Sequence, residues 1–440
     1  MENKKKILFL SDHPLVQSGV GTQAKYLIEG LLATGKYRFY CLGGAIKHAD
    51  YRIQKVCPEK YGDDWIIHPV NGYGDKVLIR QILTTEKPDA LIFFTDPRFF
   101  VWLWEMEDEI RSICPMIYNH VWDSDPIPQY NKVFYDSTDY IVALSLKTYG
   151  LLQGLNYKNF SYVPHSISEH IFKPLPENEI KSYKDKNFGP HKDKKFLLFW
   201  NNRNARRKCT GDVVASFSKF ANIVGKENVA LFMHTAVHDP EGQDITALAK
   251  CFNIETNLII SEQRVAPEEL NKFYNVVDCT INIASNEGFG LATLESLSAG
   301  TLIVANFTGG LQFQVGPWWE KIKDFSNQDE LTKKAKNMYN SGVGKWFGIP
   351  IFPASRSCTG SQQIPYIYND LVNHDDVVKA LVKLYNMGRD KRRQLGLEAR
   401  DWAIKNFNQN KMISNWDKIL QEQISKYKNS IKTNVRIIEL

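Results

Sequence analysis

Two carboxylates stand on either side of a glycine-rich turn, with seven residues between them. They are Glu287 and Glu295 in the segment Ser285–Gly300, where Gly288 and Gly290 precede an amphipathic run. A Gly-rich turn that opens a helix offers free backbone N–H groups and the positive end of the helix dipole, which suits a diphosphate. At 1.5 Å per residue, Glu295 falls about 12 Å further along the helix. The spacing thus predicts a diphosphate with hydroxyl-bearing groups, a sugar and a ribose, held by carboxylates at its two ends.

The same segment resembles a known motif. It reads E-GFGL-xx-L-E from Glu287 to Glu295 and is followed by Gly300 and the apolar run Leu302–Ala305. This is similar to the E-x7-E signature of the family-four retaining glycosyltransferases, a group that also resembles bacterial glycogen synthases. The resemblance implies that Glu287 binds the donor sugar, Glu295 the ribose, and the N–H groups around Phe289–Leu291 the phosphates. The alternative is an ordinary strand–turn–helix unit with two surface glutamates.

A basic loop follows the apolar run Phe196–Trp200. It contains Arg203 and, five residues later, Lys208, together with Arg206 and Arg207. Family members typically carry an Arg and a Lys at this spacing, which implies that Arg203 and Lys208 contact the donor diphosphate. Two cations there neutralise the leaving group as the bond to the sugar breaks. Taken without the resemblance, the segment is an ordinary basic surface loop.

Small residues precede the first helical pattern. The sequence SGVGT, residues 18–22, resembles the N-terminal GGVG loop of the family, with Ser in place of the first Gly. The resemblance implies that Gly19 and Gly21 lie close to the donor phosphate and the acceptor. Gly19, Gly21 and Ala24 also fit a dinucleotide fingerprint. However, the glycines come well after the strand, and the second strand ends at Gly44 without an acidic residue to hold a ribose. An NAD-dependent oxidoreductase is therefore the most distant alternative.

A histidine and two aspartates follow another apolar run. Family members often carry a His at the position of His120, which implies contact with the 6-hydroxyl of the donor hexose; a His after a strand also occurs in purely structural roles. Asp123 and Asp125 form a D-x-D sequence, the metal motif of the other major glycosyltransferase fold. That fold has a single domain, and the Arg–Lys pair already fills the role of the metal. We therefore predict no metal site and place both aspartates on the acceptor side.

Apolar runs of strand length alternate with helix-period segments along the chain. Helical spacing is clearest between Val20 and Leu32. Such alternation predicts parallel sheets covered by helices. We therefore predict an α/β fold of the GT-B type, in which two Rossmann-like domains have parallel sheets that face each other across a cleft. The runs are Ile7–Leu10, Ala90–Phe94, Met116–Tyr118, Tyr140–Leu144, Phe196–Trp200, Val229–Met233, Leu258–Ile260, Thr280–Ile283 and Leu302–Ala305.

A Lys-rich segment divides the chain. Residues 173–195 contain three prolines and few apolar residues, which is typical of an interdomain linker. The predicted domains are an acceptor domain, 1–172, and a nucleotide-sugar donor domain, 196–408, and we expect 409–428 to form a helix that crosses back to the first domain. Residues 311–370 are longer than in typical family members and rich in aromatic residues. They form either a flap or acceptor platform, or extra packing around the second domain.

The bulk composition is that of a soluble globular protein. The chain has 440 residues, of which 43% are hydrophobic and 24% charged, and this length favours two domains. A net charge of +6 suits a phosphate-bearing ligand without indicating nucleic acid. Seven widely spaced cysteines without a C-x-x-C predict buried thiols in a reducing compartment instead of zinc ligands or a disulfide framework. No apolar run reaches about 18 residues, so we predict a cytoplasmic protein without a transmembrane helix.

Together these features predict a retaining, metal-independent glycosyltransferase without a cofactor. Its donor is a nucleotide sugar with a hexose-type sugar, and UDP is favoured on family frequency alone. The acceptor stays open among a glycan, a lipid, a protein and a modified nucleic-acid base. Two alternatives use the same fold: a nucleotide-sugar 2-epimerase, whose family lacks the E-x7-E with its GFG turn, and a non-catalytic nucleotide-sugar-binding protein.

Overall fold

Strands and helices alternate along most of the chain in the computed structural model, which describes residues 4–434. The strands are β1 Lys5–Asp12, β2 Tyr37–Gly44, β3 Gln54–Lys55, β4 Trp65–Pro69, β5 Ala90–Phe94, β6 Met116–His120, β7 Tyr140–Ala143, β8 Phe160–Tyr162, β9 Phe196–Asn201, β10 Val229–His234, β11 Leu258–Ser261, β12 Cys279–Asn282, β13 Leu302–Asn306, β14 Gly348–Ile351, β15 Ser355–Thr359 and β16 Ile367–Leu371. The helices are α1 Gly19–Ala33, α2 Pro58–Tyr61, α3 Lys76–Glu86, α4 Val101–Trp104, α5 Glu107–Arg111, α6 Lys132–Asp136, α7 Leu146–Gly154, α8 Glu177–Asn187, α9 Thr210–Val224, α10 Ile245–Cys251, α11 Pro267–Val276, α12 Leu291–Ser298, α13 Gln328–Asn340, α14 His374–Met387, α15 Arg389–Asn406 and α16 Gln409–Asn434.

Contacts divide the chain into two units. Unit 1 comprises the described residues within Met1–Trp122, Ile127–Ser166 and Gln409–Leu440. Unit 2 comprises Asp123–Pro126 and Ile167–Asn408. The final helix α16 thus belongs to unit 1, where it packs against α1.

Unit 1 is built on a sheet with the strand order β3-β4-β2-β1-β5-β6-β7-β8. Neighbouring strands are parallel, apart from the antiparallel pair β3–β4. Ile7–Leu10 in β1 is fully buried, because helices cover both faces of a parallel sheet. Every apolar run that sequence analysis assigned to this part of the chain coincides with a strand, although β7 ends one residue before Leu144.

Unit 2 contains a parallel sheet with the order β11-β10-β9-β12-β13-β14. The run Phe196–Trp200 in β9 is fully buried. The edge strand β14 comes from residues 311–370. This segment also contains α13 and the antiparallel pair β15–β16, which we call the hairpin.

The aromatic residues of 311–370 serve two different parts of unit 2. Trp318 and Phe347 are buried, and the ring of Trp318 stacks on Phe313 with centroids 5.8 Å apart. Tyr366 and Tyr368, in contrast, are half-buried residues at the hairpin. The first part of the segment is therefore core and the second part is an added surface element.

The Lys-rich segment 173–195 contains helix α8 within unit 2. Ile180 is its buried residue, and the hydroxyl of Tyr183 donates a hydrogen bond to Glu269 on α11. A helix with a single buried apolar residue leaves almost no periodic signal in the sequence. This explains why composition pointed to a linker at a segment that is largely helical.

All seven cysteines lie within residues 4–434 and are free thiols. Three are buried as predicted and one is half-buried, but the prediction is wrong for the other three, which are exposed: Cys57, Cys251 and Cys358. Across residues 4–434, no helix combines the length and the apolar character needed to span a membrane.

Candidate functional site

The glycine-rich turn opens helix α12, as the sequence predicted. Gly290 stands at the N-cap with φ of +92°, a left-handed conformation that favours glycine. A Cβ atom there would lie 2.5 Å from Leu311 Cδ2. No side chain caps the helix, so its N-terminal dipole faces the turn formed by residues 287–290.

A second glycine pair supports this turn from behind. The N–H of Gly310 donates to the carbonyl of Glu287 at 2.8 Å. A Cβ on Gly309 would lie 2.1 Å from the Glu287 carbonyl oxygen, and one on Gly310 would lie 2.5 Å from that of Gly288. The two backbones touch directly, and only glycine permits this approach.

Buried polar side chains fix the same turn. Gln314 Nε2 donates to the carbonyl of Phe289 at 2.6 Å, and Thr293 Oγ1 donates to Gln314 Oε1 at 2.6 Å. Sequence analysis missed Gln314 and Thr293, because a buried polar residue that supports a loop has no characteristic spacing.

Lys208 and Glu287, two of the predicted site residues, form a buried ion pair in unit 2. Their side chains are 9% and 14% exposed. Arg207 lies on the same carboxylate at 3.4 Å and donates to the carbonyl of Asn286 at 2.9 Å. Burial lowers the pKa of Lys208, and the charge of Glu287 offsets part of this effect. Burial alone would raise the pKa of Glu287, but Lys208 and Arg207 outweigh it and hold that pKa below its ordinary value.

Arg203 is placed differently from Lys208. Its side chain is 64% exposed, and its guanidinium binds Asp239 through two hydrogen bonds of 2.6 and 3.0 Å. The structure therefore pairs Lys208 with Arg207 at Glu287, whereas Arg203 pairs with a different carboxylate. No local pattern in the sequence indicates Asp239, which lies in the loop after β10.

Glu295 lies on α12 with a tyrosine partner. The hydroxyl of Tyr274 on α11 donates to Glu295 Oε2 at 2.7 Å and accepts from Asn201 Nδ2 at 2.8 Å. Burial raises the pKa of Glu295 to about 7, and the hydrogen bond from Tyr274 lowers it only in part. The carboxyl group is thus close to half-protonated at neutral pH.

His120 lies in unit 1, at the carboxyl end of β6. It is fully buried, and its Nε2 is 2.7 Å from the hydroxyl of Tyr135. Its Nδ1 has no hydrogen-bond partner among residues 4–434. Burial lowers the pKa of His120 to about 3, so the imidazole is neutral and can exchange hydrogen bonds but carries no charge.

Gly19 and Gly21 form the first turn of α1 in unit 1. The N-cap is Ser18, whose Oγ accepts from the N–H of Gly21 at 2.9 Å and donates to Asp12 at 2.8 Å. A Cβ on Gly21 would lie 2.6 Å from the carbonyl oxygen of Val16, whereas Gly19 is exposed. Serine in place of the first glycine of the GGVG loop therefore caps the helix.

Asp123 and Asp125 belong to unit 2 by their contacts. The charge of Asp123 acts on Lys208, and the carbonyl of Asp125 accepts from the N–H of Tyr368 in β16 at 2.6 Å. Within residues 4–434, no group of three or more His, Cys, Asp or Glu side chains is arranged to hold a metal ion.

The base of the hairpin is bonded to the residues that precede Glu287. Asn369 Oδ1 accepts from Asn286 Nδ2 at 2.7 Å and from Ser285 Oγ at 3.3 Å. The N–H of Asp370 donates to the carbonyl of Ser285 at 3.1 Å. The conformation of the segment before Glu287 therefore depends on the hairpin, a link that the sequence did not indicate.

Solved structures share this architecture over nearly the whole chain, although no family model and no curated protein matches the sequence. Sucrose-phosphate synthase from Thermosynechococcus elongatus has a TM-score of 0.72 at 13% identity, covering 96% of this chain and 100% of that chain. A glycosyltransferase from Rickettsia africae has a TM-score of 0.66 at 15% identity, with coverages of 96% and 99%. This chain has the GT-B fold. HepE from Anabaena, in complex with UDP-glucose, has a TM-score of 0.65 at 12% identity, with coverages of 95% and 99%.

The GT-B fold confirms the predicted fold class. Within it, the structure brings Lys208 together with the turn 287–290, which includes Glu287, in unit 2. Glu295 lies further along α12. Arg203 follows β9 in the same unit. His120, Gly19 and Gly21 belong to unit 1. The role of each of these residues in binding a donor stays a prediction.

Proposed function

We propose that the protein is a retaining glycosyltransferase that moves a hexose-type sugar from a nucleotide sugar to an acceptor. The observation that carries the proposal is the turn 287–290 at an uncapped helix N-terminus, with the buried Lys208–Glu287 pair beside it. The GT-B fold and the UDP-glucose bound to HepE support a nucleotide sugar as donor, with UDP as the preferred nucleotide.

Lys208 is well placed to bind the donor diphosphate. Its ammonium group is desolvated, so its attraction to a phosphate is stronger than that of an exposed lysine. When Lys208 moves to the diphosphate, Arg207 remains on Glu287 and keeps this carboxylate ionised. Glu287 is then free to accept hydrogen bonds from sugar hydroxyls. Arg203 supplies the second cation, and the N–H groups at Phe289–Leu291 bind the phosphates.

The remaining residues hold the ends of the donor. Glu295 accepts hydrogen bonds from the ribose, and the neutral His120 contacts the 6-hydroxyl of the sugar through Nδ1. We assign no covalent nucleophile to the reaction; the leaving phosphate takes the acceptor proton. Because Lys208 and Arg203 neutralise the leaving group, the proposal includes transfer without a metal ion. A cytoplasmic location and the lack of a cofactor stay predictions.

The test is a panel of UDP-, GDP- and ADP-sugars without acceptor, in which nucleotide release is measured with and without EDTA. We expect slow, EDTA-insensitive release from one donor, and its loss in Glu287→Ala and Arg203→Ala. Arg206→Ala is the matched control, since Arg206 lies exposed in the same loop and its removal changes the charge equally.

The products distinguish the competing functions. NMR spectra recorded before mutarotation should show that the released sugar keeps the anomeric configuration of the donor. Donor binding without release would favour a non-catalytic binding protein, and conversion of the donor sugar to its 2-epimer would favour an epimerase. If the protein binds none of these donors and releases no nucleotide from them, the proposal is wrong.

A further inference from the structure

A basic cavity lies within unit 2, at the edge of the sheet opposite the turn. It has a volume of about 570 Å³. Its lining includes Lys195, Asp278 and Leu302, which lie at the amino ends of β9, β12 and β13. The turn 287–290 follows β12 at its carboxyl end, so the cavity is separate from the candidate donor site.

The lining of this cavity is strongly cationic. Seven of its side chains are Lys or Arg, and only Asp193 and Asp278 are acidic. The arginines come from the first turn of α15, and the lysines come from residues 184–195, the segment that sequence analysis read as a linker. The lysine-rich composition of that segment is therefore concentrated on one concave surface.

Some of these cations have an acidic partner and others do not. Arg389 and Arg393 both pair with Glu177, which is exposed. The half-buried Lys184 and the exposed Lys195 form no salt bridge with the side chains described within residues 4–429. Burial lowers the pKa of Lys184, and the charges of Asp278, Asp193 and Glu177 offset only part of this effect.

Arg392 adds an unsatisfied buried donor to the cavity. This side chain is only 5% exposed; Nη2 donates to Asp278 at 2.5 Å and Nη1 to the carbonyl of Leu384 at 2.8 Å. Its Nε is buried without a hydrogen-bond partner within residues 4–434. A buried N–H group without a partner is costly and unusual, and a ligand oxygen would satisfy it.

The N-terminus of the long helix α15, which carries the three arginines, borders the cavity. Helix α15 has 18 residues, and its N-cap, Gly388, provides no side-chain cap. The positive end of the helix dipole therefore adds to the charge of the arginines. Gly388 itself lines the cavity.

We propose that this cavity binds a phosphate-bearing small molecule. A helix N-terminus, an excess of cations over carboxylates in the lining and a guanidinium N–H group without a partner together suit a phosphate. The volume is in the range of ligand pockets, about 300–1,000 Å³, and exceeds what a phosphate ion fills, so an organic group fits beside the phosphate. The cations are concentrated in one hollow of the surface, which favours a small molecule over a nucleic-acid backbone, because a backbone needs an extended basic stripe. The inference does not depend on the proposed transferase function.

Calorimetric titration of the 440-residue protein with inorganic phosphate and with glucose 6-phosphate tests the proposal. Lys184→Gln/Lys195→Gln should weaken binding at least tenfold, because it removes two cations of the lining that form no salt bridge. Lys181→Gln/Lys391→Gln is the matched control: both lysines are exposed on α8 and α15, neither lines the cavity, and the charge change is equal. Arg203→Ala, a variant of the donor loop, should bind as the unmodified protein does.

The outcomes separate the two sites. Tighter binding of glucose 6-phosphate than of phosphate would show that the rest of the cavity contributes. No heat with either probe, an equal loss in both double variants, or a loss confined to Arg203→Ala would overturn the proposal. Circular dichroism checks folding; should Lys184→Gln/Lys195→Gln not fold, Arg389→Gln at an exposed position replaces it and must itself weaken binding.

Discussion

Lys208 and Glu287 form an ion pair with each other, although each is predicted to bind a different part of the donor. On these predictions, we expect donor binding to be an exchange in which the diphosphate replaces Glu287 as the partner of Lys208. Such an exchange is feasible because the desolvation cost of a buried ion pair nearly equals its attraction. Arg207 makes the exchange easier, since its positive charge stays beside the Glu287 carboxylate when Lys208 leaves.

The two cations of the basic loop should differ in what their removal costs. Lys208→Ala leaves the carboxylate of Glu287 buried with Arg207 alone, so we expect a loss of about 3 kcal/mol of unfolding free energy together with donor binding. Arg203→Ala removes a guanidinium that is 64% exposed, so the unfolding free energy should fall by less than in Lys208→Ala. Urea denaturation and donor titration of both variants measure this difference.

Loss of donor binding in Arg203→Ala without loss of stability would show that Arg203 contributes to binding the donor. Asp239→Asn is the control, because it removes the partner of Arg203 but leaves the guanidinium. Unchanged donor binding in Arg203→Ala would contradict its predicted role and leave Lys208 and Arg207 as the cations of the site.

Donor affinity should depend on pH through Glu295. Its pKa of about 7 lies above the ordinary value, so folding favours the neutral form, and the stability gained from that form is lost as pH rises from about 4.5 through 7. Only the ionised carboxylate accepts hydrogen bonds with both oxygens, so donor affinity should rise several-fold between about pH 6 and 8. Fluorescence or calorimetric titration at each pH measures the dissociation constant of the donor.

Glu295→Gln provides the control, since it should bind with an affinity that does not change over this pH range. Tyr274→Phe removes the hydrogen bond that lowers the pKa of Glu295, so the midpoint should move to higher pH. The same pH profile in Glu295→Gln would mean that another group titrates.

At the scale of elements, the hairpin is bonded to the segment that precedes Glu287. Asp370 is buried at its base, where it accepts from Thr308 Oγ1 at 2.7 Å and from Arg356 Nε at 2.7 Å. The hairpin therefore connects the loop after β13 to the loop after β12. Its half-buried tyrosines, Tyr366 and Tyr368, lie beyond this anchored base.

We expect Asn369→Ala to reduce donor use several-fold by releasing Asn286 and Ser285. The substitution removes three neutral hydrogen bonds, to Asn286, Ser285 and Thr359, and should lower the unfolding free energy by about 1–3 kcal/mol. Thr359→Ala is the matched control, because Thr359 bonds Asn369 from the opposite strand without touching the turn. Steady-state kinetics of nucleotide release, with KM and kcat resolved, provide the measurement. Equal effects of the two substitutions would mean that the hairpin does not position the turn.

The sequence predicted the strands that are buried on both faces and the helices that bury one regular stripe of residues. Central strands such as β5 and β9 are apolar throughout because both faces are covered, and α1 carries a full helical stripe. Helix α8 and the hairpin were missed, since both are largely exposed and polar. Likewise, the E-x7-E spacing located Glu287 and Glu295, whereas Asp239, Gln314 and Asn369 act through tertiary contacts that no local pattern records.

At the scale of the whole molecule, four predicted donor contacts belong to a single unit. Arg203, Lys208, Glu287 and Glu295 all lie in unit 2, on loops and a helix of one sheet. Donor binding should therefore stabilise this unit directly. His120, which is predicted to contact the sugar, belongs to unit 1.

A donor at about 100 times its dissociation constant should add about 2.7 kcal/mol to the stability of the protein. This corresponds to a rise of roughly 5–10 °C in Tm for a unit of this size. Differential scanning calorimetry with UDP-glucose tests it, and hydrogen exchange should show protection in residues 201–210 and 285–295. EDTA should leave the shift unchanged, and Arg203→Ala should reduce it. Protection confined to unit 1 would contradict the assignment of the donor to unit 2.

Helix α12 lies between the candidate donor site and the basic cavity of unit 2. Its N-terminus forms the turn after Glu287, and the residues that follow its C-terminus, Ala299 and Gly300, line the basic cavity. The helix has eight residues, a rigid body about 12 Å long. Any coupling that it carries is reciprocal: a phosphate that alters donor affinity by some factor must have its own affinity altered by the donor by the same factor. Two titrations, performed in opposite order, would close a thermodynamic cycle and give the coupling free energy twice.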